Sequence, residues 1–310
     1  MTRKDEQMEL GMIGLGRMGL NMAERLIRAG HRVVGTARTE ETVREAEKHG
    51  VEGASTVEEL IAKLTTPRHV WMMVPAGQVT EAVLESLLEV LEKGDTIIEG
   101  GNSNYRDTVR RAKKVDEAGL HYLDAGTSGG IWGLENGYSL MVGGSPEAYQ
   151  RAGPIFQTLS PGDGRGLGHV GPSGAGHFVK MVHNGIEYGM MQALAEGFAI
   201  LEAKKEFDLD LEQCGRVWQY GSVVRSWLLD LAVAAFAEDP RLERLEGYVE
   251  DSGEGRWTVL EAIDLDVPAP IITLSLQNRF RSRIGDDFFG DRLLAALRKQ
   301  FGGHPVRKAE

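Results

Sequence analysis

A glycine-rich turn near the start of the chain constrains the fold more than any other feature of the sequence. Met8 to Ile13 is a short apolar run that leads directly into Gly14-Leu15-Gly16-Arg17-Met18-Gly19. Apolar residues at helical spacing follow, and Gly30 ends the segment. A strand, a G-x-G-x-x-G turn and a helix in this order form the dinucleotide-binding fingerprint. A tight turn without a ligand is the alternative, but the second apolar run at Arg32 to Gly35 favours contacts of residues 14–19 with a dinucleotide.

The end of that second run bears on which coenzyme is bound. An acidic residue there would bind the ribose 2′-hydroxyl of NAD, whereas an arginine would accept the 2′-phosphate of NADP. The chain has Thr36-Ala37-Arg38-Thr39 at this point, without a carboxylate, although Glu40 and Glu41 follow. We therefore predict that Arg38 and Thr39 contact NADP, with NAD as the other possibility. The alternative for Arg38 is a solvated surface side chain in a variable loop.

Strands and helices alternate through the rest of the first half. Strands are predicted at 69–74, 96–98 and 121–123, and helices at 55–64, 79–91 and 105–118, the first of them capped by Ser55 with Glu58. This alternation predicts an α/β Rossmann-like domain with a parallel sheet, whose ligands bind at the carboxyl ends of the strands. Three strand ends carry residues of interest, at Val74-Pro75-Ala76, Glu99-Gly100-Gly101-Asn102-Ser103 and Asp124-Ala125-Gly126-Thr127-Ser128-Gly129-Gly130. Turn chemistry alone would also explain these residues.

The second half of the chain is predicted to be helical. From Pro172 no strand-like alternation persists, and a helix is predicted from Ser173 to about Ala203. Residues recurring at helical spacing further on are predicted to form a core, namely Trp218, Trp227, Leu228, Leu231 and Phe236. A length of 310 residues allows two domains. We predict a dinucleotide-binding domain over 1–172 and an all-helical domain over 173–310 that binds substrate and mediates dimerisation.

Polar residues interrupt the apolar pattern of the long helix. Lys180, His183, Asn184 and Glu187 are spaced at i, i+3, i+4 and i+7, which places them on one helix face. Burying an amine and a carboxylate costs several kcal/mol unless they are paired or used in chemistry. One interpretation is a structural Lys/Glu pair beside a satisfied histidine, and the other is a catalytic face with an amine base and a carboxylic acid. The spacing alone leaves both open.

Charge and composition limit the partners of the chain. A formal net charge of -11 repels nucleic acid and anionic membranes at long range, and no apolar run has the length of a membrane span. The polar residues 1–7 are expected to be a frayed extension rather than a signal peptide, which predicts a cytoplasmic protein. The single cysteine, Cys214, excludes an internal disulfide, and no metal site is expected. A phosphorylated ligand would need a local basic pocket, for which the run Arg279, Arg281 and Arg283 is a candidate, although such runs are usually solvated.

Motifs spread from Met8 to His304 together resemble one family. The glycine turn, Gly100-Gly101-Asn102-Ser103 and Ser128-Gly129-Gly130 resemble those of β-hydroxyacid dehydrogenases in general. The stretch from Lys180 to Tyr188, Gly255-Arg256-Trp257-Thr258 and Arg298-x-x-Phe301-Gly302-x-His304 resemble the decarboxylating 6-phosphogluconate dehydrogenases, in the shorter of their two architectures. The resemblance implies oxidative decarboxylation of 6-phosphogluconate, a phosphorylated sugar acid, to ribulose 5-phosphate and carbon dioxide with reduction of NAD(P), in the pentose phosphate pathway.

The resemblance also implies roles for individual residues. Lys180 would be the base that takes the C3-hydroxyl proton, and Glu187 the acid that protonates the carbon left after loss of carbon dioxide. Contacts with the substrate are implied for Asn102, Ser128, Gly129, Gly130, His183 and Asn184. Contacts with the coenzyme are predicted for Val74, Pro75, Ala76 and Asn102, which lie at strand ends. The phosphate would be bound by Tyr188 and Arg279 together with Arg298 and His304 from the tail of a partner, in a homodimer or homotetramer. Decarboxylation would need no metal, because oxidation places a ketone β to the carboxylate.

The chain departs from the family pattern at two places. The longer enzymes have a loop lysine before Gly-Thr-Gly-Lys-Trp, whereas this chain has the shorter Asp251-Ser252-Gly253-Glu254-Gly255-Arg256-Trp257 without a lysine. Ala37-Arg38-Thr39 also stands where the family often has Asn-Arg-Thr or an acidic residue.

Two rival functions are considered. The nearer rival is another β-hydroxyacid dehydrogenase of the 3-hydroxyisobutyrate type, which the arginines and His304 argue against. The other is a nonenzymatic dinucleotide sensor, which would need neither Lys180 nor Glu187.

Overall fold

The computed structural model describes residues 7–285 and 287–309 of the chain, which divides into two compact units after Lys180. The extension expected at the N-terminus falls almost entirely on residues 1–6, outside the described residues. The division lies inside a long helix, whereas the sequence places the domain boundary at 172, in the loop before that helix.

A sheet of eight strands forms the centre of the first unit. The strands are β1 (Glu9–Ile13), β2 (Arg32–Thr36), β3 (Glu52–Gly53), β4 (His69–Met72), β5 (Thr96–Glu99), β6 (His121–Ser128), β7 (Ser139–Gly144) and β8 (Leu167–Gly171). Their spatial order is β3-β2-β1-β4-β5-β6-β7-β8, and all neighbours are parallel except β6 and β7. The strand order reverses between β1 and β4, where open α/β sheets form a ligand-binding crevice at the carboxyl ends of their strands.

Helices pack on both faces of this sheet. They are α1 (Arg17–Arg28), α2 (Glu40–Glu47), α3 (Val57–Ala62), α4 (Gln78–Val90), α5 (Tyr105–Glu117), α6 (Gly133–Asn136), α7 (Pro146–Arg151) and α8 (Gly153–Leu159). Met12 of β1 belongs to a core cluster with Leu26 of α1 and Phe156 of α8, whereas the next residue, Ile13, joins Leu84 of α4 in a second cluster. Successive side chains of a strand point to opposite faces, so a parallel sheet covered on both faces requires apolar residues on both.

The predicted α/β domain with its parallel sheet is confirmed, but three strands were not predicted. β3 has only two residues, and β7 (SLMVGG) and β8 (LGHVG) contain glycines that are typical of turns. Pairing of β7 with β6 and of β8 with β7 makes them strands.

The predicted cap of α3 was wrong by one residue. The Thr56 hydroxyl accepts the Glu59 N–H at 3.2 Å, while Ser55 bonds to the Glu59 carboxylate, because the helix begins at Val57.

The second unit is helical, as predicted. Helix α9 (Ala175–Ala203) leads into it, and α10 (Leu211–Trp218), α11 (Trp227–Glu238), α12 (Glu254–Asp264), α13 (Pro270–Arg281) and α14 (Phe289–Gly302) follow. Its core contains Phe198 of α9, Phe236 of α11 and Leu297 of α14. Trp227, which was expected in this core, is instead 44 % exposed at the first position of α11. Within the described ranges, no helix is both long and apolar enough to cross a membrane.

Candidate active site

The glycine turn after β1 has the geometry that its spacing predicts. Gly14 has a φ of 99°, in the region that favours glycine, and a Cβ there would lie 2.3 Å from the Met73 carbonyl oxygen. A Cβ on Gly19 would lie 1.9 Å from the Gly14 carbonyl oxygen, so α1 could not approach the turn with any larger residue. Gly14 and Gly19 are therefore needed for the fold itself.

Gly16 differs from the other two glycines because it faces open space. No atom lies within 4 Å of a Cβ placed on Gly16, and this residue caps α1 without a side-chain hydrogen bond. The neighbouring Leu15 is buried, Arg17 is exposed and Met18 is half-buried. Backbone N–H groups in the first turn of a helix favour an anion, and open space above them admits one. The residues of this turn therefore fit the pyrophosphate of a nicotinamide dinucleotide.

Arg38 follows β2 as an exposed side chain. It forms no hydrogen bond or ion pair with another of the described residues. The hydroxyl of Thr39 caps α2 by accepting the Thr42 N–H at 3.3 Å. The Glu40 carboxylate is paired with Arg44 at 2.6 Å. Glu40 is thus partly neutralised, and the Arg38 guanidinium remains available to an anionic group.

The three segments predicted to bind ligands follow β4, β5 and β6, which are adjacent in the sheet. Met72 pairs with Glu99, and Glu99 with Asp124, so the carboxyl ends of these strands are aligned. Val74 is half-buried, whereas Pro75, Ala76 and Asn102 are exposed. A Cβ on Gly101 would lie 2.6 Å from the Val74 carbonyl oxygen, so the first two segments are in contact.

The third segment turns sharply after Ser128. Gly129 and Gly130 have φ values of 132° and 54°, which side chains rarely adopt, and a short 3-10 helix (Gly130–Trp132) follows. Ser128 and both glycines are half-buried.

The first turn of α9 is fixed to the sheet by a buried carboxylate. The two oxygens of Asp124, in β6, accept the backbone N–H groups of Gly174 at 2.7 Å and His177 at 2.8 Å. The His177 ring in turn lies 2.8 Å from the Thr108 hydroxyl of α5. A negative charge is favourable at a helix N-terminus, and these bonds satisfy amides that would otherwise lack partners.

Two glycines bring α9 into direct contact with β6. A Cβ on Gly126 would lie 2.5 Å from the Gly176 carbonyl oxygen and 2.6 Å from the Lys180 Cβ. A Cβ on Gly176 would lie 2.4 Å from the Asp124 carbonyl oxygen. The Lys180 side chain, which is 8 % exposed, therefore starts against β6 only two residues before Ser128.

The remaining residues of the polar face follow along α9. Asn184 is buried, while His183 and Glu187 are partly exposed. The Nδ1 atom of His183 lies 3.0 Å from the Asn184 side-chain oxygen and 3.9 Å from a Glu187 carboxylate oxygen. Because one unbroken helix carries all four residues, the spacing predicted from the sequence is preserved.

Buried arginines and a tyrosine form a cluster in the second unit. The guanidinium carbon of Arg279 lies 3.3 Å from the centre of the Tyr188 ring. Burial lowers the pKa of Arg279 to about 10, and the positive charge of Arg298 acts in the same direction. Burial also lowers the pKa of Arg298. Neither arginine forms an ion pair with a carboxylate of the described residues, although Arg279 donates to the Glu250 carbonyl at 3.2 Å. Both guanidinium groups are therefore candidates to bind an anion.

Two further arginines near this cluster share one carboxylate. The Asp251 carboxylate accepts hydrogen bonds from Arg256 at 2.8 and 3.0 Å and from Arg283 at 2.6 Å. Burial opposes ionisation of Asp251, but these two partners outweigh it and lower its pKa to about 2. Asp251 therefore holds Arg256 and Arg283 in place around the loop before α12.

The C-terminal tail contacts residues of its own chain. That it completes the site of a partner stays a prediction. Glu246 donates its N–H to the Arg307 carbonyl at 3.1 Å, Ala309 donates to the Arg244 carbonyl at 3.2 Å, and the Arg307 guanidinium lies over the Tyr248 ring. Arg298, on α14, is buried near Tyr188 of the same chain, because apolar residues of α14 pack into the core of its own unit. The half-buried His304 ring packs edge-on against Phe301. Backbone groups that need hydrogen-bond partners thus find them within one chain.

Family profiles match both units of the chain. The NAD binding domain of 6-phosphogluconate dehydrogenase matches residues 9–171, and the C-terminal domain of that enzyme matches residues 176–289. The chain belongs to the 6-phosphogluconate dehydrogenase family. Its Rossmann-like unit accordingly binds a nicotinamide dinucleotide, and the protein is an NAD(P)-dependent oxidoreductase.

Individual members of the family match over most of the chain. A provisional 6-phosphogluconate dehydrogenase of Bacillus subtilis is 47 % identical, over 97 % of this chain and all of that protein. The NAD(+)-dependent, decarboxylating 6-phosphogluconate dehydrogenase of Haloferax volcanii is 45 % identical, over 98 % of this chain and all of its own length. The 6-phosphogluconate dehydrogenase of Plasmodium falciparum, whose structures include complexes with NADP+ and 6-phosphogluconate, superposes with a TM-score of 0.81 at 34 % identity, covering 88 % of this chain and 62 % of that one.

The contacts that fix the start of α9 on the sheet were not predicted, although Asp124 and Gly126 lie in the third strand-end segment noted in the sequence. Asp124, Gly126 and His177 fix the position of α9 on the sheet. Asp124 is separated from its amide partners by 50 and 53 residues, so no local pattern reveals the contact. An acidic residue and a glycine at a strand end were the available signals, and both are also ordinary turn residues.

Proposed function

We propose that the protein catalyses the oxidative decarboxylation of 6-phosphogluconate to ribulose 5-phosphate and carbon dioxide, with reduction of NADP or NAD, in the pentose phosphate pathway. The observation that carries this proposal is the buried Lys180 side chain against β6, seven residues before Glu187 on the same helix. The end-to-end match with a decarboxylating 6-phosphogluconate dehydrogenase supports it.

In the proposed reaction, Lys180 removes the proton of the C3 hydroxyl. Bound nicotinamide supplies the hydride acceptor for the hydrogen on C3, so that C3 becomes a ketone. The bond between C1 and C2 then breaks, carbon dioxide leaves, and its electron pair forms an enol as Lys180 returns its proton to the C3 oxygen. Glu187 donates a proton to C2 while Lys180 takes back the proton of the C3 hydroxyl, so that the C3 carbonyl re-forms and the ketose is complete. Asn102, Ser128, Gly129, Gly130, His183 and Asn184 are proposed to orient the sugar acid.

For the phosphate of the substrate we propose contacts with Tyr188, Arg279, Arg298 and His304 of one chain. The two buried arginines lack carboxylate partners among the described residues, whereas Arg256 and Arg283 share the carboxylate of Asp251. Arginine donates paired hydrogen bonds that suit phosphate oxygens. This pair of cations accounts for phosphate binding without the loop lysine of the longer enzymes.

The coenzyme is proposed to be NADP in preference to NAD. The exposed Arg38 guanidinium at the end of β2 has no partner among the described residues, and Glu40 beside it is paired with Arg44. Both features favour a 2′-phosphate over a free 2′-hydroxyl. Val74, Pro75 and Ala76 would contact the same coenzyme from the end of β4.

A homodimer or homotetramer is proposed as the assembly. Helices α12 and α13 and the loop between them expose a series of large apolar side chains, each more than half exposed: Leu260, Ile263, Leu265, Val267, Ile271 and Leu274. Contiguous apolar surface of this kind marks a protein interface. A second copy of the chain would bury it.

One assay tests the proposed reaction against both rivals. Purified protein is incubated with 6-phosphogluconate, gluconate or 3-hydroxyisobutyrate and each coenzyme, while reduced nicotinamide and released carbon dioxide are measured together. We expect both products in equal amounts with 6-phosphogluconate alone. Reduction without carbon dioxide would contradict decarboxylation, and coenzyme binding without any reduction would contradict an enzymatic function.

A further inference from the structure

A buried ionic cluster lies beneath two of the segments that follow the strands. Arg111 of α5, which is 1 % exposed, donates from Nε to Glu81 at 2.9 Å and from one Nη to Glu99 at 2.9 Å and Ser103 at 3.1 Å. The Glu99 carboxylate also accepts the hydroxyls of Ser103 and Tyr122. Every polar group named here is therefore bonded, which is the condition for a buried network to hold a single geometry.

Arg111 connects two different segments through these contacts. Glu99 and Ser103 flank Gly100-Gly101-Asn102, the segment after β5. Glu81 lies in the first turn of α4, which starts directly after Val74-Pro75-Ala76, and the neighbouring Thr80 hydroxyl donates to the Pro75 carbonyl at 2.9 Å. The guanidinium thus holds the end of one segment and the helix start that follows the other.

The spacing between the two segments is tight enough for such a link to matter. A Cβ on Gly101 would lie only 2.6 Å from the Val74 carbonyl oxygen, so the two backbones are in contact. Gly100 also donates its N–H to the Met72 carbonyl at 2.9 Å. A shift of either segment would therefore move the groups on the other.

We propose that Arg111 is a positioning residue, which sets the position of Asn102 relative to Val74-Pro75-Ala76 and so couples substrate alignment to coenzyme binding. This inference rests on the proposed function, in which these residues contact the two ligands. Displacement of a ligand-orienting group by about 1 Å from a remote change can cost about a hundredfold in rate.

The chain contains a matched control for this role in the next residue. Arg110 also pairs with Glu81, at 2.5 Å, but its side chain is 57 % exposed and its other carboxylate partner is Asp107 of its own helix. Arg110 thus shares the ion pair with Glu81 and lacks the link to Glu99 and Ser103. Replacing it tests the loss of an ion pair alone.

The experiment compares Arg111→Lys with Arg110→Lys in the full-length protein. Lysine keeps the charge but cannot reproduce the planar fork that reaches three acceptors. For Arg111→Lys we expect kcat/KM for 6-phosphogluconate to fall at least tenfold, the dissociation constant of the coenzyme to rise, and amide hydrogen exchange to accelerate in both 74–80 and 99–104. Arg110→Lys should stay within about twofold of wild type in all three measurements. A lower melting temperature of Arg111→Lys without these changes would show a purely structural ion pair and overturn the proposal.

A second pair of variants covers the case in which Arg111→Lys does not fold. Ser103→Ala removes the contact on the segment itself, whereas Tyr122→Phe removes a hydroxyl that reaches Glu99 from β6. We expect Ser103→Ala to lower kcat/KM and accelerate exchange at 74–80 more than Tyr122→Phe does, and equal effects would contradict the proposal. If wild-type protein does not oxidise 6-phosphogluconate, the proposed function fails, while coenzyme affinity and hydrogen exchange still decide whether Arg111 positions the two segments.

Discussion

The Lys180 side chain starts against Gly126 of β6 and is 8 % exposed, so its replacement tests chemistry at the edge of the sheet. Methionine keeps the apolar stem and removes only the amine. Lys180→Met should reduce kcat by about a hundredfold or more, the usual contribution of a positioned general base, with little change in coenzyme affinity. Steady-state kinetics with coenzyme titration measures both. Lys204→Met, beyond the end of the same helix, is the control, and a Lys180→Met variant with more than a tenth of the wild-type rate would exclude Lys180 as the base.

Arg38 provides a residue-level test of coenzyme choice. Its guanidinium has no partner among the described residues, and a hydrogen bond to a charged group contributes about 1.5–3 kcal/mol. Arg38→Ala should therefore weaken NADP binding by about tenfold or more while NAD binding hardly changes. Isothermal titration with each coenzyme distinguishes these outcomes, and Lys48→Ala, past the end of α2, serves as control. Equal losses for both coenzymes would assign Arg38 to the surface.

The raised pKa of Asp291 makes the free energy of unfolding depend on pH. Burial raises the pKa of this carboxyl to about 6, even though Arg281 bonds to it and acts in the opposite direction. Between these two pKa values the folded state keeps a proton on Asp291 that the unfolded state releases near pH 3.8. The contribution of Asp291 to the free energy of unfolding is therefore fully present below pH 3.8 and is lost as pH rises to about 6. The loss amounts to about 3 kcal/mol.

Denaturant unfolding of wild type and Asp291→Asn at pH 4 and 7 tests this sign. The free energy of unfolding of the wild type, minus that of Asp291→Asn, should fall between pH 4 and 7. Asp251→Asn is the contrast, since the pKa of Asp251 is lowered to about 2 and its contribution is lost only as pH falls from about 4 to 2. If this difference in free energy of unfolding instead grew between pH 4 and 7, the raised pKa of Asp291 would be refuted.

At the scale of elements, the contact between α9 and β6 decides where the Lys180 side chain starts. A methyl group on Gly126 would meet the Gly176 carbonyl oxygen at 2.5 Å and the Lys180 Cβ at 2.6 Å, which forces helix and strand apart. Gly126→Ala should lower kcat by about a hundredfold through displacement of Lys180. Gly168→Ala is the control, because a Cβ on this strand glycine meets nothing closer than 4.0 Å. Unchanged kcat in folded Gly126→Ala protein would show that the contact does not position Lys180.

The buried Asp124, two residues before Gly126 in β6, acts on the same helix. A helix whose first amides are satisfied by a strand residue cannot slide along the sheet without losing two charge-assisted hydrogen bonds. Helix position is thus set by Asp124 and by the two glycines together. The first turns of α9, up to Lys180, take their position from these contacts.

At the scale of the whole molecule, the path of the tail determines whether a site is shared between subunits. The tail pairs with residues 244–246 of its own chain, and Arg298 lies near Tyr188 of that chain. When a Lys180→Met chain and a His304→Ala chain exchange subunits, no mixed site would then contain both intact residues. We expect no recovery of activity in heterodimers verified by native mass spectrometry. Recovery above the sum of the two variants would show that the tail crosses to a partner in solution.

The sequence by itself determined the features that depend on local pattern. The glycine turn, the alternation of strands with helices and the helical repeat of Lys180, His183, Asn184 and Glu187 depend on residues close together in the chain, and the structure preserves each of them. The strands β7 and β8 escaped prediction because their glycines are typical of turns and only pairing makes them strands.

Only the tertiary structure decided which distant residues meet. Asp124 reaches amides 50 residues away, Arg111 joins two segments that follow different strands, and the tail returns to its own chain. Local propensity contains no information about such contacts. They arise because buried charges and backbone amides must find partners once the core has formed, and the chain path around that core determines which partners are within reach.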